Sequence, residues 1–297
     1  MKFGVLTPCR LLSSNPRSTN SDHSTIMDDT PSARDRRTVL DFGQQWVRYQ
    51  DNDGYYGSVE MLADIFGPLL HVEDIVDRRV AEIGSGTGRI VNMLLAAGTA
   101  RVLAIEPSAA FAVLRQNTTA HAERVDYLNA RGDKIPADGE FDFVLSIGVL
   151  HHIEHPESVV AAAYRALRVG GRMLIWLYGR EGNEAYLRLI EPLRAITTRL
   201  PPRLLSPLCH VFNLGLALYI GLCRFLPLPL RGYCRNVLAK LSWQKRFLVI
   251  YDQLNPAVAR YYSERDARAL LEHAGFKQVQ SHHRHGYSWT VIGTRAS

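Results

Sequence analysis

The fold is decided by residues 80–88, which read VAEIGSGTG. A short apolar run that stops at a glycine is typical of a buried strand. Three glycines then alternate with Ser85 and Thr87, and residues 90–97 follow with a helix-like pattern. Glycine has no Cβ and adopts positive φ at little cost, so it allows a tight turn and the close approach of a ligand. The turn after the first strand is also where open α/β sheets bind ligands. The pattern therefore predicts a ligand-binding turn between a strand and a helix.

Strand and helix signals alternate outward from this turn. Strands separated by helices indicate a parallel sheet, whereas the short gap between the last two strands favours an antiparallel hairpin. We therefore expect a doubly wound, mostly parallel seven-stranded α/β sheet with an antiparallel last strand and a helical insertion before the last helix. The predicted strands are residues 80–83, 101–105, 125–128, 141–147, 172–178, 276–280 and 287–294. The predicted helices are residues 90–97, a helix from Ser108, 156–167 and 263–274.

Composition and charge divide the chain of 297 residues into three parts. Residues 1–37 lack apolar periodicity and are predicted to be a disordered extension. Residues 38–180 and 251–297 form the expected core, and residues 181–250 form the insertion. The four cysteines are scattered without a C-x-x-C pair, which argues against a zinc ribbon and suits a reducing compartment. No secretory signal is apparent, so a cytoplasmic location is expected, with contact at the periphery of a membrane as an open option.

The glycine spacing separates two classes of cofactor. A dinucleotide site has the pattern G-x-G-x-x-G. Counted from Gly84, the last position is Arg89, and counted from Gly86 it is Val91. Neither register fits, so a nicotinamide dehydrogenase is disfavoured.

Four elements together carry a family resemblance. Residues 82–88 have the form E-x-G-x-G-x-G, and Glu106 ends the second strand 22 residues after Gly84. An Arg-Gly-Asp-Lys turn at 131–134 precedes FDFV at 141–144, and residues 166–174 read ALRVGGRML. The set resembles class I S-adenosylmethionine-dependent methyltransferases, in particular small-molecule enzymes of the ubiquinone/menaquinone type. Val169 stands where the family usually has proline.

The resemblance implies a Rossmann-like fold and S-adenosyl-L-methionine as the cofactor. Its glycine turn would shape the methionine pocket, Glu82 would lie near the amino acid end, Glu106 would hold the ribose and Asp133 the adenine. A carboxylate suits a ribose because it accepts hydrogen bonds from both hydroxyls. The expected cofactor-binding residues are Glu82, Gly84, Ser85, Gly86, Gly88, Glu106, Pro107, Asp133, Lys134 and Ile147.

His152 and His151 follow the fourth predicted strand and are the candidates for a catalytic base. The alternative is structural, because the second histidine of this passage in the family often bonds at a helix start. No Asn/Asp-Pro-Pro-Tyr/Phe element follows this strand, and residues 51–180 carry a net charge of −5. We therefore expect a small-molecule acceptor, methylated on O, C or N, and no nucleic acid. No metal is expected at the 282–285 cluster, because adjacent histidines on a strand would point to opposite faces and could not all bind one ion.

The insertion is basic and apolar. Residues 181–250 carry a net charge of +7, whereas residues 208–223 contain no charged residue. Three interpretations stay open: a cap over an apolar pocket, a segment lying on an anionic membrane surface, and a transmembrane helix. The insertion also keeps open a non-catalytic, membrane-associated module as the alternative function. Residues 42–49, with Trp46 and Tyr49, either lie over the cofactor or simply pack on the sheet.

Overall fold

A computed structural model describes residues 32–255 and 258–297, and most of the predicted 1–37 extension lies outside that range. Its centre is one seven-stranded sheet in the order β3-β2-β1-β4-β5-β7-β6. The strands are β1 (Arg79–Ile83), β2 (Arg101–Ile105), β3 (Val125–Leu128), β4 (Phe141–Ile147), β5 (Leu167–Tyr178), β6 (Lys277–Arg284) and β7 (Ser288–Thr294).

Strand direction agrees with the prediction. The pairs β1–β2, β1–β4, β2–β3 and β4–β5 are parallel. Strand β7 is antiparallel to both of its neighbours, β5 and β6. The chain order reverses between β1 and β4, so the carboxyl ends of these two strands flank the crevice in which a doubly wound sheet binds ligand.

Ten α-helices lie within the described residues. They are α1 (Ala33–Arg48), α2 (Val59–Phe66), α3 (Arg89–Ala96), α4 (Phe111–Asn117), α5 (Glu157–Ala166), α6 (Glu184–Thr197), α7 (Pro202–Leu222), α8 (Arg231–Asn236), α9 (Trp243–Leu254) and α10 (Glu264–His273). Helix α1 begins four residues before position 37, so the predicted disordered segment is too long at that end. Its start is local: the Ser32 side chain accepts a hydrogen bond from the Asp35 N–H, which caps the helix.

Alternating residues of the strands feed two cores on opposite faces of the sheet. Val80 belongs to the core shared with α2 and α3, and Ala81 belongs to the core shared with α5 and α10. Helices on both faces make the sheet doubly wound, as the sequence predicts. The same alternation brings β4 into both cores through Leu145 and Val144.

A third core joins the insertion to the N-terminal helix. Leu187, Leu205 and Phe247 come from α6, α7 and α9, and Trp46 of α1 and the following Tyr49 pack against them. The insertion is helical as predicted, although its last helix continues to Leu254, beyond position 250. Because Trp46 packs in this third core, α1 and the insertion are packed together as one unit.

Candidate functional site

The glycine turn lies between β1 and α3, and its backbone requires glycine. Gly84, Gly86 and Gly88 have φ values of 81°, 51° and 83°. The Gly84 N–H donates to the Ile105 carbonyl over 2.8 Å, which ties the turn to the end of β2. A Cβ at Gly84 would lie 2.3 Å from Cγ2 of Val149, closer than packed atoms approach. The turn therefore fits tightly beneath the segment that follows β4.

Glu106 fastens the turn to the second strand. Its carboxylate is buried and accepts hydrogen bonds from the N–H groups of Gly86, over 2.8 Å, and Ser108, over 2.9 Å. A carboxylate offers about four acceptor positions, so two backbone donors leave capacity for ligand hydroxyls. Pro107 follows Glu106 directly and is half-buried.

Glu82 is a buried acid whose carboxylate oxygens accept no hydrogen bond from the described residues. The residue is 1% exposed. Burial raises the pKa of Glu82 to about 7. A buried acid without a partner is costly unless a ligand supplies donors or positive charge. Beside it, the Ser85 hydroxyl donates to the Glu82 carbonyl over 3.2 Å, and the same hydroxyl opposes part of the rise in the pKa of the Glu82 carboxyl.

The predicted adenine residues lie on the turn that follows β3. The Asp133 side chain is 7% exposed, and Arg131 Nε lies 3.3 Å from Asp133 Oδ1. Lys134 Nζ lies 3.8 Å from the other carboxylate oxygen. This turn reaches the end of β1, since a Cβ on Gly132 would collide with the Ile83 side chain. Buried Ile147 ends β4 beside β1, so these predicted residues come from adjoining strand ends.

The two histidines differ in their surroundings. His151 is fully buried, neither of its ring nitrogens has a partner, and burial holds its pKa well below the usual value. Its ring stacks on Tyr178 at a centroid distance of 3.8 Å. His152 Nδ1 lies 2.7 Å from the Val258 carbonyl oxygen, and burial lowers its pKa to about 4. His152 is therefore held by the backbone, whereas the ring nitrogens of His151 have no partner among the aromatic rings that surround it.

Helix α1 covers both parts of the site. A Cβ on Gly86 would lie 3.5 Å from Trp46 Nε1, so the indole lies over the glycine turn. Phe42, one helical turn earlier, packs edge-on against the His152 ring at 4.7 Å. Of the two interpretations of residues 42–49, the geometry favours the one in which they lie over the cofactor pocket.

Helices α6 and α9 and the segment after α9 contribute polar residues that the sequence did not single out. Arg194 Nε donates to the Gln253 carbonyl over 2.7 Å, and Tyr261 donates to Gln253 Oε1 over 2.6 Å. Tyr261 in turn stacks on Tyr178 at 5.4 Å. Asp252 accepts a hydrogen bond from Gln45 of α1, and burial raises its pKa to about 7. No local motif marks these residues, since their partners are far away in the sequence.

Comparison with known proteins agrees with the site. Residues 81–175 match the family model described as a methyltransferase domain. This part of the chain is thus similar to a methyltransferase domain. The match begins inside β1 and ends inside β5, so it contains the glycine turn, Glu106, Asp133 and both histidines. The insertion lies outside it.

Two curated relatives align with part of the chain. A tRNA U34 carboxymethyltransferase of Alcanivorax borkumensis is 32% identical over 117 residues, covering 38% of this chain and 36% of the relative. A ubiquinone biosynthesis O-methyltransferase of Aromatoleum aromaticum is 33% identical over 130 residues, covering 43% of this chain and 55% of the relative. The alignments thus span between about a third and just over half of these relatives.

Solved structures of methyltransferases also align with the chain. Magnesium protoporphyrin IX methyltransferase from Synechocystis PCC 6803 is 14% identical, with a TM-score of 0.47, covering 80% of this chain and 82% of that one. An O-methyltransferase family protein from Burkholderia thailandensis is 15% identical, with a TM-score of 0.49, covering 86% and 59%.

Proposed function

We propose that the protein transfers a methyl group from S-adenosyl-L-methionine to a small, apolar molecule at O, C or N. The observation that carries the proposal is Glu82, whose buried carboxylate lacks a partner next to the glycine turn. The amino acid end of this cofactor has an ammonium group, which would supply the missing positive charge and donors. A non-catalytic module that binds no cofactor is disfavoured, because such a protein has no need to keep an unpaired acid buried there.

The remaining cofactor residues follow from their positions. Gly84, Ser85, Gly86 and Gly88 would let the cofactor approach the backbone, and Glu106 would accept the ribose hydroxyls. On the adjoining rim, the adenine would meet Pro107, Asp133, Lys134 and Ile147. The bound cofactor supplies a sulfonium methyl group that is already electrophilic, so the protein has to bind, orient and exclude water.

His151 is the residue that we place against the acceptor. Its ring is neutral because burial opposes protonation, so one nitrogen can accept a hydrogen bond from an acceptor hydroxyl or amine and orient it. His152 acts as a positioning residue, since the Val258 carbonyl fixes its ring and Phe42 packs on it. Orienting the acceptor in line with the methyl group supplies much of the rate acceleration in such transfers.

We infer from the aromatic side chains around His151 that the acceptor is an aromatic or otherwise apolar molecule. Tyr178 stands between His151 and Tyr261, and the Tyr186 hydroxyl joins the Gln253 network over 3.3 Å. Flat aromatic walls with a few polar groups are typical of small-molecule sites. The same proposal includes peripheral contact between residues 181–250 and an anionic membrane, and the surface responsible is argued below.

Cofactor binding and methyl transfer test the proposal. We expect calorimetry to detect binding of S-adenosylmethionine and S-adenosylhomocysteine but not of NAD. With radiolabelled cofactor and a panel of phenols and amines, His151→Phe should lower kcat and leave the cofactor Kd unchanged. Binding of NAD without binding of S-adenosylmethionine would overturn the proposal. Transfer by the His151→Phe variant at the wild-type rate would overturn the role of His151 alone.

A further inference from the structure

Helix α7 has one face that packs on the protein. Leu205, Cys209, Asn213 and Ile220 are buried on that face. The Asn213 side-chain amide donates to the Trp243 carbonyl at the start of α9 over 2.9 Å. Helix α7 therefore lies against the body of the insertion with its polar asparagine turned inward.

The opposite face of α7 carries apolar side chains in solvent. Along the sequence, these exposed apolar residues are seven, three, four, four and three positions apart. This spacing puts them on one side of α7 and of the turn that follows it. Leu218 is 67% exposed and Phe225 is 84% exposed. Soluble proteins rarely leave so continuous an apolar surface uncovered. We call this surface the apolar stripe, and it consists of Leu204, Val211, Leu214, Leu218, Leu222 and Phe225.

The charge around the stripe has one sign. Residues 192–251 contain nine Lys and Arg residues and no Asp or Glu. Arg199 and Arg203 are exposed near the first end of α7, and Arg224 is exposed just after its last turn. Arg231 differs, because its Nε donates to the Cys223 carbonyl over 2.9 Å and so caps the helix end. The stripe is thus bordered at both ends by arginines that are free to meet an anionic surface.

This combination of charge and apolar area selects one occupant. A second copy of the chain, related by a two-fold axis, would bring arginines of the same sign together. The helix Arg203–Leu222 is long and apolar enough to cross a bilayer by length and composition. Spanning, however, would pull it from α9 and leave the Asn213 amide in hydrocarbon. An anionic bilayer surface receives the apolar side chains and pairs with the arginines at once.

We propose that the apolar stripe lies in the headgroup region of an anionic bilayer, with the α7 axis along the membrane plane. The buried face of α7 stays on α9, so the protein docks without rearranging the fold. The arginines draw the protein to the surface, and the stripe holds it there. This surface does not depend on methyl transfer.

Vesicle sedimentation tests the proposal with the full chain. We expect the protein to sediment with phosphatidylcholine vesicles that contain phosphatidylserine, more weakly at high salt, and not with phosphatidylcholine alone. Leu214→Ser with Leu218→Ser should lower the partition coefficient at least tenfold. Val76→Ser with Val169→Ser is the matched control, since it removes two exposed apolar side chains elsewhere and should not change binding.

A second pair of variants separates charge from apolar contact. Arg203→Gln with Arg224→Gln should weaken binding at low salt, whereas Arg78→Gln with Arg265→Gln should not. Calorimetry with S-adenosylhomocysteine checks that the site is intact in every variant. The proposal is overturned if wild type stays in the supernatant with anionic vesicles at low salt, or if the stripe variant binds like wild type. It is also overturned if light scattering shows that wild type is a dimer, the stripe variant is a monomer, and neither protein binds vesicles.

Discussion

Gln45 donates a hydrogen bond from Nε2 to Oδ1 of Asp252, joining α1 to α9 across 207 residues of sequence. The pair links the two helices that cover the site. Gln45 adjoins Trp46, which covers the glycine turn, and Asp252 adjoins Gln253, which holds Arg194 and Tyr261. The elements that cover the site are therefore one hydrogen-bonded unit, and its stability depends on the protonation of Asp252.

The first prediction concerns that acid. Burial raises the pKa of Asp252 from 3.8 to about 7, so the folded protein holds this proton more tightly than the unfolded chain does. Its contribution to the free energy of unfolding is therefore full below pH 3.8, falls as the pH rises, and is lost above about pH 7. We expect Asp252→Asn to gain stability relative to wild type between pH 5 and pH 8.

Thermal unfolding across that pH range measures the effect. Each kcal/mol gained raises Tm by roughly 2–4 °C in a protein of this size. Asp138→Asn, at an exposed position, is the control and should track wild type at every pH. A difference between Asp252→Asn and wild type that does not vary with pH would contradict the assignment.

For His152 we expect the opposite dependence of the free energy of unfolding on pH. Burial lowers its pKa from 6.5 to about 4, so the unfolded chain binds the proton more readily. Its contribution to stability is full above pH 6.5 and is lost as the pH falls through 4. His152→Gln should therefore lose less stability than wild type on acidification from pH 7 to pH 5, as urea unfolding at both values will show. Equal losses in the two proteins would mean that His152 does not require its neutral form.

Glu106 provides a prediction about ligand affinity and folding together. Glu106→Ala leaves the N–H groups of Gly86 and Ser108 without their acceptor and removes the proposed ribose contact. Each loss of this kind costs about 1–3 kcal/mol. We expect a lower free energy of unfolding and a weaker Kd for S-adenosylhomocysteine, while Glu106→Gln retains part of both. An alanine variant with unchanged affinity would exclude Glu106 from the cofactor site.

Gly84 and Gly170 form a matched pair for testing the turn. Their φ values are 81° and 78°, so alanine suffers similar backbone strain of about 1–2 kcal/mol at either position. Only at Gly84 does the new Cβ collide with Val149, whereas nothing lies within 4 Å at Gly170. Chemical denaturation should show Gly84→Ala to be the more destabilised, and Val149→Ala should recover part of the loss. Equal destabilisation of the two alanine variants would argue against the tight contact.

Most of the sheet was predictable because its signals are local. The first four strands have the expected ends to within one residue, since their apolar runs stop at glycine, proline or polar residues. The start of α1 at Ala33 was missed because a cap, and no apolar period, sets it. The fifth strand begins at Leu167, earlier than predicted, because Leu167 already pairs with Phe141 of β4 before the register shifts.

The cofactor side of the site was easier to predict than the acceptor side. The glycine turn, Glu82 and Glu106 lie within one strand–helix–strand unit, so spacing alone relates them. Asp252 and Gln45 meet only through tertiary packing, and nothing near either residue indicates the contact. Likewise, sequence places His151 and His152 at the same strand end, but only the Val258 carbonyl distinguishes their roles.

The most direct test of the proposed function is calorimetric titration of S-adenosylmethionine into wild type and Glu82→Gln from pH 5.5 to pH 8.5. Glu82 has to be ionised to pair with the cofactor ammonium, and its pKa in the free protein is about 7. We therefore expect wild-type affinity to rise with pH up to about 7, with protons released on binding below that value, and to fall again above about pH 8 as the cofactor's own ammonium loses its proton. Glu82→Gln should bind at least tenfold more weakly and without the rise up to about pH 7. Wild-type protein that binds no S-adenosylmethionine, or a variant that binds as tightly and with the same pH profile, would contradict the account.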